Sequence, residues 1–179
     1  MARPPGGALA PGLLRVRLAS ELAATGAAGE DRLPRGRKAR ALLALLALFS
    51  PAPVARDWLC GLLWSRRGAA QGRASLRQSL HELNTALGGA APLLVAQRDH
   101  IALRGAGLEV VLEPGEAPDR LLDELDGIDA ALDRFLDERR AECRRTGMAR
   151  AEAVLAARQQ PQERLAAAEA VLALDLAHE

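Results

Sequence analysis

The apolar positions change period along the chain, and each change marks an element. Leu14, Val16 and Leu18 alternate with Arg15 and Arg17, the two-residue period of a strand with one buried face. Residues 20–24 predict a second short strand, and residues 25–31, with two glycines, a turn. A third short strand is expected to end at Leu33-Pro34. Over residues 36–49 the chain is apolar on nearly every side past Arg40, which predicts a helix buried all round. Ser50-Pro51-Ala52-Pro53 stops it, because proline lacks the backbone donor and disfavours helix in the residue before it. A short helix follows over residues 55–64, with Leu59, Leu62 and Leu63 on one side and Trp58 beside them. Residues 65–72 read as a loop.

The third predicted helix, over residues 73–87, has a narrow apolar stripe. Leu76, Leu80, Leu83 and Leu87 recur at i, i+4, i+7 and i+11. The opposite face carries Ala74, Gln78, His81 and Thr85, with Arg73, Arg77 and Asn84 along one shoulder and Glu82 as its one acid. Gly88-Gly89 ends the helix. Residues 93–97 and 101–104 read as a hairpin with the polar tip Arg98-Asp99-His100, and residues 108–112 as a further strand. Residues 113–116 (Glu-Pro-Gly-Glu) mark a domain boundary.

From Pro118 onward the pattern is helical. About two turns are expected over residues 119–125. A long helix or bent pair follows over 129–158, with Leu132, Phe135, Leu136 and Cys143 inward and a bend at Thr146-Gly147. Gln159-Gln160-Pro161 connects it to a last helix over 162–175. Two helices across a short turn resemble one unit of a helical-repeat array. Residues 1–12 are Pro/Gly-rich and expected to be disordered.

Composition sharpens the fold class. The chain has no Tyr, two Phe and two Trp, so strand-favouring aromatics are scarce beside its many Ala and Leu. The expectation is a mainly α protein with small β-sheets. The formal net charge of +1 hides a split. Residues 1–104 hold fifteen Lys/Arg and six Asp/Glu, or +9; residues 105–179 hold nine and seventeen, or −8. A cationic module is therefore joined to an acidic one, and the first is suited to a polyanion.

Several chemistries are missing. Two cysteines exclude a disulfide scaffold and a four-thiolate zinc site. The single lysine, Lys38, is not in a phosphate-binding loop, His81-Glu82-Leu83-Asn84-Thr85 lacks the second His of a zincin, and no GxSxG elbow occurs. His81, His100 and His178 are too dispersed for a metal site. Asp123, Asp126, Asp129, Asp133 and Asp137 read as a solvated helix face, and Cys60 and Cys143 as buried thiols. No enzyme, cofactor or metal is expected. Basic residues 35–40 before the apolar run Ala41 to Phe49 mimic a signal peptide, but nine apolar residues fall far short of the ~20 that span a bilayer. A buried core helix fits better, with no membrane association and a cytoplasmic location.

Strands, three helices and then a hairpin is the order of a winged helix-turn-helix, in which the third helix enters the major groove. Arg73, Ala74, Arg77, Gln78 and His81 are the candidate base readers: Arg and Gln can bond guanine and adenine edges, and Ala74 can meet a thymine methyl. Lys38, Arg66, Arg67, Asn84 and Arg98 are candidates for backbone contact, the four cations by phosphate neutralisation.

Residues 33–44 (LPRGRKARALLA), 54–59 (VARDWL), Leu62-Leu63-Trp64 and 74–80 (ASLRQSL) with Leu83 resemble the SARP-type bacterial transcriptional activators. The resemblance implies an OmpR-type winged-helix domain over 13–112. A bacterial transcriptional activator domain of TPR-like helices follows over 118–179, resembled more weakly at 121–125 (LLDEL), 135–139 (FLDER) and Ala173-Leu174-Asp175. It further implies binding to promoter repeats in double-stranded DNA, contact with RNA polymerase, and self-association into a homodimer through 118–179. Asn84 stands where the family usually has an Arg that contacts phosphate, the usual Pro near Leu176 is missing, and the family's helical domain usually continues past the position of Glu179. A shortened member or a fragment is therefore expected. The alternative is a protein-interaction adaptor, or a truncated regulator that has lost productive DNA binding.

Overall fold

The computed structural model describes residues 13–19, 21–112 and 120–157. The expectations for residues 1–12, the 113–116 break, Pro118, the 159–161 connection and the 162–175 helix lie outside the described residues. The described residues are mainly α with two small three-stranded sheets.

Strand β1 (Leu14–Leu18) is central in the first sheet, and its alternation buries Leu14, Val16 and Leu18. It pairs antiparallel with β2 (Leu22–Gly26), whose bounds lie two residues later than expected. Its other edge pairs parallel with β6 (Leu108–Leu112), Leu14 opposite Leu108 through Leu18 opposite Leu112. The strand expected to end at Leu33-Pro34 is reduced to a single bridge between Thr25 and Asp31. Pro34 has no N–H to extend a ladder.

Helix α1 (Arg37–Leu48) is buried on all sides from Ala41 to Ala47, as its apolar run requires. After it, β3 (Val54–Ala55) joins the second sheet, a strand the sequence reading had not separated from the proline stop and the next helix. Helix α2 (Arg56–Leu63) buries Leu59 and Leu63. Helix α3 (Ala69–Leu87) starts four residues before the expected Arg73. Gly72 explains the extension. It is buried against Cys60, and a Cβ there would lie 3.6 Å from the Cys60 Cβ, so packing offsets the low helix propensity of glycine. Gly88 ends the helix at φ 53°, a conformation glycine adopts without strain. A 3-10 segment, Gly88–Leu93, then takes up Leu93, which the alternation had assigned to a strand. Strands β4 (Leu94–Ala96) and β5 (His100–Leu103) form the expected hairpin, and β5 is central between β3 and β4.

The segment after residue 119 departs from the two helical turns expected. Leu122 is left-handed at φ 58°, which breaks a helix, and Asp123–Leu125 forms a 3-10 turn after it. The Leu122 N–H donates to the Ala19 carbonyl at 2.6 Å instead of to its own turn. Helix α4 (Ala130–Ala157) runs unbroken through Thr146-Gly147 where a bend was expected. A lone glycine inside a helix costs only about 1 kcal/mol, too little to force a break.

Leu121, Leu122, Leu125, Leu132 and Leu136 belong to the same buried cluster as Leu14, Leu42, Leu63 and Leu83. Phe49, Trp58 and Phe135 add edge-on ring contacts at 5.3 and 5.4 Å, joining the end of α1, α2 and α4. Arg140 is only 7% exposed. Its Nε donates to the Leu121 carbonyl at 3.0 Å and its Nη2 to Asp126 at 2.8 Å, with Asp123 and Asp137 also in range. Part of the acidic series is therefore gathered around one buried guanidinium rather than simply solvated. Among the described residues no helix is long and apolar enough to cross a membrane.

Candidate nucleic-acid interface

The buried leucines of α3 orient its other side. With Leu76, Leu80, Leu83 and Leu87 in the core, Arg73, Ala74, Arg77, Gln78, His81 and Asn84 are all exposed. Arg77 makes no hydrogen bond or ion pair with another described residue. Arg73 faces Asp57 at 3.4 Å, a long and solvent-exposed pair worth little. The Thr85 hydroxyl is turned onto its own helix, donating to the His81 carbonyl at 2.9 Å.

Glu82, the one acid of α3, lies on the same flank as Gln78 and His81 but is half-buried and engaged by another element. Its Oε1 accepts the Gly36 N–H at 2.6 Å, at the start of α1. That places a carboxylate at a helix N-terminus, where the dipole favours it. A Cβ at Gly36 would lie 2.7 Å from Glu82 Oε2, so a larger residue there would push the carboxylate aside.

Arg66 and Arg67 are exposed between α2 and α3. Arg67 donates to the Ser75 hydroxyl at 2.8 Å, and Arg66 has no partner among the described residues. Arg98 is exposed at the hairpin tip and has no partner among the described residues. The hairpin itself is tied to α2, because the Arg56 N–H donates to Asp99 O at 2.9 Å and Arg56 Nε to Gln97 O at 2.8 Å.

Lys38 is half-buried rather than free on the surface. Its ammonium donates to the Leu63 carbonyl and sits 5.2 Å from the Trp64 ring centroid. Burial pushes its pKa below the usual lysine range, against the opposing pull of Asp129. It tethers α1 to the end of α2, so one of its donors is already engaged. The charge split does not produce two separate surfaces. Arg37 donates to the Asp126 carbonyl at 2.7 Å, and Arg40 lies 3.6 Å from Glu124, so the acidic segment occupies cations at the start of α1.

Asp129 closes the α2–α3 loop against α4. Its carboxylate accepts from the Ser65 hydroxyl at 2.5 Å and from the backbone N–H groups of Ser65 and Ala131, both at 3.1 Å. Burial raises its pKa, but these bonds and the nearby Lys38 charge outweigh burial and leave it below the usual aspartate value. A depressed carboxylate stabilises the fold above its unfolded-state pKa, and that contribution is lost as pH falls through the lower folded value. Asp129→Asn should therefore flatten the acid side of a stability profile measured by urea melts from neutral to low pH. An unaltered acid limb would assign that dependence to other carboxylates.

Arg35 is not among the candidates that the sequence singles out. Leu33, Pro34 and Arg35 form one bank of a groove of about 510 Å³, and Gln78, His81, Glu82, Thr85 and Ala86 of α3 form the other. Arg35 is exposed and unpaired among the described residues. Its signal was an arginine between a proline and a helix start. Cys60 and Cys143, expected to be buried, are half-buried, and burial pushes both thiols up. No group of three His, Cys, Asp or Glu side chains among the described residues is placed to hold a metal ion. No protein-family model matches the chain, and no curated protein matches it.

Proposed function

We propose that the chain is a sequence-specific DNA-binding transcriptional regulator, acting as an activator from the cytoplasm on promoter repeats. In this reading α1–α3 and the β4–β5 hairpin form a winged helix-turn-helix. Helix α3 lies in the major groove and Arg98 reaches phosphate from the wing. Arg73, Ala74, Arg77, Gln78 and His81 read base edges, while Arg66, Arg67 and Asn84 meet the backbone. The TPR-like region from residue 118 serves self-association and contact with RNA polymerase, as the SARP resemblance implies.

The observation that carries the reading is the α3 face. It is exposed, its arginine and amide donors include Arg77, which has no partner among the described residues, and its one carboxylate is already engaged by Gly36. Selection of the protein on a randomised duplex library, followed by sequencing, tests it. Enrichment of a motif repeated about one helical turn (~10 bp) apart is expected. Failure to retain any duplex at low salt would refute the proposal.

A second reading, the protein-interaction adaptor, draws on one feature. Leu112 is 45% exposed beside a groove that it shares with Leu48, Leu121 and Cys143. A stable dimer that ignores DNA would favour it.

A further inference from the structure

We infer that the groove between residues 33–35 and α3 is a binding site for one sugar-phosphate strand of duplex DNA, with Arg35 as its phosphate contact. The inference rests on the DNA-binding reading and adds a site to it.

The placement follows from helix geometry. Gln78, His81, Glu82 and Thr85 recur at three- and four-residue spacing, so they lie along one flank of α3. A helix set into a major groove has a phosphate strand running beside each flank. On this flank the groove is where that strand would run.

The chemistry matches a phosphodiester. Phosphate oxygens take only donors, and the lining offers the Arg35 guanidinium, with Gln78 and His81 beside it left for base edges. Glu82 is the one acidic residue in the lining, and its Oε1 already accepts the Gly36 N–H.

The backbone around Arg35 is also fixed before any ligand arrives. The preceding Pro34 is buried, and its carbonyl accepts Arg40 Nε at 2.8 Å. The following Gly36 is held by Glu82. The guanidinium is thus presented from a rigid base, and ordering one side chain is the main entropic cost of contact.

The test is a salt titration of binding to the selected duplex and to a random duplex. Removing one phosphate contact lowers the slope of log K against log salt by about 0.9, which amounts to roughly an eightfold loss at 0.1 M salt. Arg35→Ala and the longer neutral Arg35→Gln should each show that loss equally on both duplexes. Arg35→Lys should keep the wild-type slope. The Arg35 side chain makes no internal bond among the described residues, so thermal melting should be unchanged, and Arg35→Gln reads the contact if Arg35→Ala folds poorly.

Unchanged affinity and slope in the neutral variants would overturn the groove while leaving the wild type a DNA-binding protein. Saturable binding of inorganic phosphate alone, abolished by Arg35→Gln, would also overturn it by marking a free-anion site. A wild type that binds no duplex would overturn the functional proposal itself.

Discussion

Arg77→Ala is expected to weaken binding to the selected duplex by roughly 5- to 150-fold, the equivalent of the ~1–3 kcal/mol that a bidentate arginine–guanine contact supplies. Its loss on random duplex should be far smaller. The expectation comes from the position of the side chain. Arg77 follows Leu76 and precedes Leu80, both buried, so its backbone is fixed while its guanidinium is exposed and unpaired among the described residues. Arg73 differs because it faces Asp57 and must leave that partner to reach a base. Arg67→Ala is the comparator: a phosphate contact should lower affinity on both duplexes by about the same factor. Arg77→Lys should not rescue discrimination, because an ammonium lacks the planar fork. Equal losses on the two duplexes for Arg77→Ala would remove it as a base reader.

Leu83→Ala is expected to cost about 2–5 kcal/mol of stability, a large share of the roughly 5–15 kcal/mol that holds a domain together. Leu83 is completely buried near the middle of the α3 stripe and belongs to the cluster that includes Leu42 of α1 and Leu63 of α2. Truncating it removes apolar contacts and leaves a void that rigid neighbours fill only partly. Leu83→Met nearly conserves volume and should cost under about 1.5 kcal/mol. Urea melts of the two variants decide this, and a shared small loss would mean that α3 is held elsewhere. DNA affinity should fall with stability for Leu83→Ala but not for Leu83→Met. Arg77→Ala should lose affinity with an unshifted melt.

The elements read correctly from the sequence were those with a strong local period. The alternation of β1, the apolar run of α1 and the leucine stripe of α3 each declare a buried face within a few residues. The misreadings have tertiary causes. Gly72 looks like a loop residue until Cys60 is seen packed against it. The left-handed turn at Leu122 accompanies a hydrogen bond that its N–H donates to a carbonyl about a hundred residues away, at Ala19. The candidate site divides the same way. Exposure of Arg77 and Gln78 follows from helix spacing alone. The engagement of Lys38 by Leu63 and the placement of Arg35 across from α3 depend on how elements dock, which no local pattern encodes.

The parallel pairing of β1 with β6 also sets an order of events during synthesis. Arg15 and its ion-pair partner Glu109 are separated by 94 positions in the chain. At about 5–20 residues per second, β1 waits roughly 5–20 s for that neighbour to be made. It can pair with β2 almost at once, but one edge stays open until the helices and the hairpin have been translated. The strand that begins the first sheet is therefore among the last to have both its partners, and the nascent chain spends that interval with an unpaired β1 edge exposed to other chains.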